Sequence, residues 1–243
     1  MSKNTTILLL IIFCCCLVSN ASAGASFTNH IELLESSITF MVNETYTDED
    51  ALAFREDLDT DDDGILDILE IEDFRERYMS NGGAQFLEYI LVDDGALPLA
   101  IDSIDIRFEN AQGPVDNSTL SVTTTLQYSM GSVLSAGEHS VWVLGHPLID
   151  NMQFVLPKGM EVISYDGLDE ASRSSQDGRV VLEGISGIRS FVIEDKPAFE
   201  YAAHVTFQKE PFYKNSFFLP FLVVIEIILA SIALYIIKKN KNK

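Results

Sequence analysis

Four hydrophobic patterns follow one another along the 243-residue chain: an unbroken apolar run from Ile7 to Val18, a helical period from Thr47 to Ser80, an alternating period beyond Gly83, and a second unbroken run from Phe217 to Ile237. In the helical stretch Ala51, Phe54 and Leu58 fall on one face, and Ile71, Phe74 and Tyr78 repeat the spacing. Two helices around a polar centre are therefore expected. Thr47 stands where it can cap the first, with Asp48, Glu49 and Asp50 in the first turn, where the helix dipole favours negative charge. Asn81-Gly82 supplies a stop to the second.

The alternating part predicts strands. Leu120, Val122, Leu126, Tyr128 and Met130 interleave with Ser121, Thr123, Thr125, Gln127 and Ser129, the pattern of a long half-buried strand. Shorter runs do the same at Ile104, Ile106 and Phe108, at Val141 and Val143, and from Phe199 through Tyr201, Ala203, Val205 and Phe207. Turn signals separate them at Gly113-Pro114, Gly137, Pro157-Lys158-Gly159, Asp166-Gly167 and Asp177-Gly178, and Asp94-Gly95 reads as a hairpin turn. The expected fold class is α+β: an antiparallel β-sandwich over 84–210. Ser37 to Val42 serves as a first strand, so the helix pair over 47–82 becomes an insertion.

The two unbroken runs predict the location. Residues 1–23 have the form of an export signal, with Lys3, the apolar run, and Ala21-Ser22-Ala23 before a cleavage at Gly24. The run over 217–237 is long enough for a spanning helix, and the lysines of the 238–243 tail would stay in the cytoplasm. This arrangement predicts a single-pass protein of the cell membrane with an outward-facing ectodomain over 24–215. Within the run, Glu226, Ala230 and Ala233 share one helical face, a candidate contact with the helix of a membrane partner.

Charge narrows the partners. With 37 acidic and 16 basic side chains, a net charge of −21, the chain repels nucleic acid and suits cations. Cys14, Cys15 and Cys16 all fall in the signal, so no disulfide is available to the rest. Asn43 and Asn117 head Asn-x-Thr sequons and are candidate glycosylation sites.

The acidic residues are densest in "DLDTDDDGILDILE", between the two expected helices. Counted from Asp59, the carboxylates of Asp59, Asp61, Asp63, Asp67 and Glu70 occupy positions 1, 3, 5, 9 and 12; Gly64 is at 6 and the carbonyl of Ile65 is offered at 7. A hard cation takes six to eight oxygens, and a tight loop turns alternate side chains inward to provide them. The span from Thr47 to Ser80 resembles an EF-hand, and "DTDDDGILDILE" also resembles the thrombospondin type 3-like calcium loops of prokaryotic surface proteins. Both resemblances imply Ca2+ as the ligand, held by Asp59, Asp61, Asp63, Ile65, Asp67 and Glu70. EF-hands usually work in pairs, and no second loop is evident in this sequence. The stretches "FVLPKGMEVISYDG" and "GRVVLEGISG" resemble sandwich ectodomains of archaeal membrane proteins.

Catalytic patterns are missing: there is neither His-Glu-x-x-His nor Gly-x-Ser-x-Gly, and His30, His139, His146 and His204 stand without partners at ligand spacing. The expectation is a non-enzymatic, calcium-binding surface protein in which the ion orders the helix pair against a sandwich used for binding or envelope structure. The alternatives are an accessory subunit of a membrane transport, secretion or envelope complex and, less favoured, an extracellular hydrolase.

Overall fold

The computed structural model describes residues 24–82, 85–193, 196–209 and 220–228. Two strands come first, β1 (Ala25–Leu33) and β2 (Ser37–Tyr46), followed by α1 (Asp48–Leu58), the short β3 (Ile65–Leu66) and α2 (Ile68–Gly82). The chain then continues in strands: β4 (Ile90–Val92), β5 (Leu99–Glu109), β6 (Gly113–Pro114), β7 (Leu120–Met130), β8 (Gly137–Leu144), β9 (Ile149–Val155), β10 (Met160–Asp166), β11 (Leu168–Gln176), β12 (Arg179–Ser186), β13 (Ile188–Ile193) and β14 (Lys196–Lys209).

Seven of these form one sheet in the order β11-β12-β9-β1-β2-β7-β5; β10-β14-β8-β4, with β13 paired to β14, form a second. Alternation puts the apolar rows inside. Along β7 every second residue from Leu120 to Met130 is buried, Thr124 included. Ile31, Leu33, Phe40, Leu126 and Tyr128 from the larger sheet meet Ile90, Val92, Val141, Val143, Val205 and Phe207 from the smaller in one core. The smaller sheet does not reach the far end of β2, β5 and β7. There Ala51 of α1 packs with Ile106, Leu120 and Val122, while Phe54, Tyr78 and Met79 close over them. The helix pair therefore stands in for missing strands as a lid on the inner face. Burying each of the covered aliphatic side chains is worth about 1.5–3 kcal/mol.

Several expectations are corrected. The fold is mostly β rather than α+β, because helices occupy only short segments of the described chain. Nor is the sandwich wholly antiparallel: β1, not expected from the sequence, lies antiparallel to β2 but parallel to β9, Ile31 opposite Phe154. The spanning helix over 217–237 is overturned. Of that run the structure describes 220–228, which are helical. Among the described residues no helix is long and apolar enough to cross a membrane. The single-pass placement in the cell membrane, the transmembrane anchor and the membrane partner held through Glu226 fall with it. Glu226 is exposed on that short helix; Ala230, Ala233, the 1–23 signal and the 238–243 tail lie outside the described residues.

Candidate metal centre

The loop between α1 and α2 is folded by its own carboxylates. Asp61 Oδ1 accepts the main-chain N–H of Asp63 (3.2 Å), and Asp63 Oδ1 accepts that of Ile65 (2.8 Å). Each bond reaches two residues along, so the chain curls and alternate side chains turn to one side. Gly64, at φ +78°, takes the left-handed step that a side chain would resist, and its N–H reaches Asp59 Oδ2 at 2.9 Å. One carboxylate oxygen from each of Asp59, Asp61 and Asp63 then comes within 4.8 Å of the others.

Asp59 separates this cluster from an ordinary solvated acidic surface. Its side chain is 8% exposed, and Oδ1 is buried with no hydrogen-bond partner. A carboxylate oxygen sealed from water and unpaired is costly unless a cation meets it. The donor set consists of oxygens only, as hard cations require and as soft-metal sites do not. Asp59, Asp61 and Asp63 therefore fit such an ion.

The later loop residues do different work. Asp67 Oδ1 accepts the N–H groups of Leu69 (2.8 Å) and Glu70 (3.0 Å), and Glu70 Oε2 accepts the N–H of Asp67 (3.1 Å). This reciprocal capping box starts α2. Glu70 Oε1 meanwhile reaches back across the loop to the N–H (2.6 Å) and hydroxyl (3.1 Å) of Thr60. These donors, led by the Asp67 N–H, hold the Glu70 carboxyl below its ordinary value. At Asp61 the N–H of Asp63 favours the charged form, but the neighbouring Asp63, Glu70 and Asp59 charges help push the carboxyl up on balance. A cation would relieve that repulsion.

The loop leans on a distant segment of the chain. Positions 7 and 8, Ile65 and Leu66, form β3 and pair antiparallel with Pro114 and Gly113 of β6, in the connection from β5 to β7. Val115 N–H closes the ladder on Gly64 O at 3.0 Å. Leu66 is fully buried among Leu58, Ile71 and Ala111. The same connection is gripped from α1 by Arg55, itself 1% exposed, whose guanidinium donates to the carbonyls of Ala111 (3.2 Å), Asp116 (3.0 Å), Ser118 (2.5 Å) and Asn110 (2.6 Å). Asp116, whose carboxyl is held low by the hydroxyl and N–H of Ser118 and by Arg55, completes the clamp. The 110–118 connection thus braces both the loop and the helix pair.

Arg55 and this connection were not singled out from the sequence. The signal was there: Arg55 stands four residues after Ala51 and three before Leu58, on the apolar face, as the lone base in an acidic helix. Thr47, expected to cap α1 with its side chain, instead gives its hydroxyl to Gly24 O at 3.2 Å. Of the two sequons, Asn117 is exposed in the gripped connection, whereas the Asn43 amide is held within the sheet by Thr28 and Thr123. The four histidines do not assemble. His139 is held by Asp93 and the Ser135 carbonyl, His30 by Gln153, and His204 faces Asp94 at 3.7 Å. Trp142, on the outer row of β8, gives its indole N–H to Glu200.

No family model matches the chain. No curated protein matches it either. Among solved structures, a mutant M1 zinc metallopeptidase from Deinococcus radiodurans aligns over 76% of this chain and 42% of its own, at 9% identity and a TM-score of 0.30. The same peptidase mutant bound to a Tyr-Ser-Ala substrate aligns over 76% and 43%, at 10% identity and a TM-score of 0.31. The chain thus spans less than half of that peptidase, and a likeness this slight assigns it neither family nor activity.

Proposed function

We propose that the protein binds one calcium ion in the Asp59–Glu70 loop, and that the ion is structural, fastening the helix pair and the 110–118 connection to the end of the sandwich. The observation that carries this reading is the buried carboxylate of Asp59, its Oδ1 unpartnered, clustered with the carboxylates of Asp61 and Asp63 at loop spacing. Asp59, Asp61 and Asp63 would hold the ion. Asp67 and Glu70, at the later loop positions, would add oxygens on giving up the backbone partners they now hold. Calcium is favoured over magnesium because a flexible loop of five carboxylates suits six to eight ligands better than a strict octahedron. The chain's role follows from the same parts: bound charge cancels the repulsion among the loop carboxylates and so steadies the pairing of β3 with β6 and the helices over Ile106, Leu120 and Val122. The sandwich so completed is a binding or structural module rather than an enzyme.

Calorimetric titration of the protein with calcium, beside an Asp59→Ala/Glu70→Gln double variant, tests this. One site per chain in the parent and none in the variant is the expected result. Absence of binding up to 10 mM, well past the ~10⁻⁴–10⁻³ M range of extracellular calcium modules, overturns it.

A further inference from the structure

The inner row of β1 runs Phe27, Asn29, Ile31, Leu33, and Ile31 and Leu33 are fully buried. Asn29 breaks this row. Its neighbours in register are Val42 on β2 and Met152 on β9, both apolar, yet the side chain is only 5% exposed. Its Oδ1 is sealed from water and has no hydrogen-bond partner. A buried amide oxygen without a partner costs about 1–3 kcal/mol, and a leucine would continue the row without that cost. Packing therefore does not account for asparagine here.

What adjoins it does. Asn29 lines a cavity of about 310 Å3 between the sheets, walled by Phe27, Val42, Tyr89 and Ile149 and bordered by His146. The volume is at the lower end of ligand pockets, which are mostly apolar with a few placed polar groups. Among the described residues no Lys, Arg, Asp or Glu lines it, so a charged ligand would enter uncompensated. The rim is already fixed. The His146 ring meets Phe27 edge-on at 6.0 Å, its Nδ1 accepts the N–H of Leu148 (3.2 Å), and the main-chain N–H of His146 donates to Ser186 Oγ (3.2 Å). A preformed cavity spares a ligand the cost of ordering it. The terminal torsion of asparagine is soft, so Oδ1 can swing to meet a donor that arrives in the cavity.

We propose that this cavity binds a small neutral molecule with an apolar or aromatic body and one hydrogen-bond donor, which pairs with Asn29 Oδ1. The inference is independent of the calcium loop.

Phenol and toluene are the probes, alike in shape and different in the donor, titrated into the full-length protein and followed by NMR shifts of Asn29, Tyr89 and Ile149. Phenol is expected to bind about fivefold more tightly than toluene, the equivalent of one hydrogen bond, and an Asn29→Leu variant to reverse the order. Ile149→Trp, which fills the cavity without touching the amide, should abolish both and serves if Asn29→Leu does not fold. Equal affinities in the parent protein, no binding of either probe at millimolar concentration, or phenol binding that survives Ile149→Trp overturns the proposal.

Discussion

At the scale of single residues, two buried polar side chains matter more than their exposed neighbours. Arg55 satisfies four carbonyls of the 110–118 connection at once. Arg55→Ala removes all four bonds and leaves the buried Ala111 carbonyl unpaired, and urea unfolding is expected to show a loss of about 3 kcal/mol. Arg55→Lys, which keeps the charge without the planar fork, should recover part of it. Glu44 lies on the inner row of β2 with Tyr46 donating its hydroxyl to it. Burial raises its carboxyl above the ordinary value, the Tyr46 bond opposing, and burial together with Glu44 pushes the Tyr78 hydroxyl up to about 12. Because folded Glu44 holds its proton more tightly than the unfolded chain does, its contribution to stability is present at low pH. It is lost as pH rises from the ordinary carboxyl value through the raised one. Glu44→Gln, which keeps an acceptor for Tyr46, should match the parent at pH 4 and exceed it at pH 7 in urea midpoint. A variant weaker than the parent at pH 7 would show that the charge is stabilised in place. The spacing of Asp59 to Glu70 could be read from the sequence because ligand positions in a tight loop are local. The burial of Glu44 and Asn29 could not, since each depends on strands far away in the chain; for Arg55 the apolar helix face signals burial, but not the 110–118 carbonyls it meets.

At the scale of elements, the loop, β3 and β6 form one unit. Gly64 is the residue whose replacement tests the loop without touching a ligand. At φ +78° an added Cβ meets no atom within 4 Å, so Gly64→Ala is opposed by backbone strain alone. About 1 kcal/mol is expected, hence calcium binding about fivefold weaker by calorimetry. The helix pair was legible from its period, the acidic first turn after Thr47 and the Asn81-Gly82 stop, whereas the cap that Asp67 and Glu70 build came only from the structure. Where the lone hand finds its support was not, because the pairing of Ile65 with Pro114 joins segments that lie 49 residues apart. In chelator, hydrogen exchange should quicken in α1, α2 and the 110–118 connection while β1, β2 and β9 stay protected. Uniform quickening across the sheets would mean that the ion supports the whole fold rather than its end.

At the scale of the whole molecule, the helices cap a core that the smaller sheet covers only in part, and Tyr78 touches both the main core and the patch under α1. Stability should therefore follow calcium. At a hundredfold excess over the dissociation constant the gain is about 2.7 kcal/mol, or a rise in thermal midpoint of roughly 5–10 °C for a chain of this size. A midpoint indifferent to millimolar calcium would detach the ion from the fold. The sequence by itself determined what depends on near neighbours: the helix–loop–helix, the carboxylate spacing, the period of β7 and the turns at glycine. Apolar length misled it, since the run over 217–237 suggests a span while among the described residues no helix is long and apolar enough to cross a membrane. Only the tertiary structure decided that β1 enters the sheet beside a parallel β9, that α1 and α2 replace strands over Ile106 and Leu120, and that Arg55 binds the hand to the sheet edge. Those outcomes rest on which distant surfaces are left uncovered when the sheets have paired, a quantity no local pattern carries.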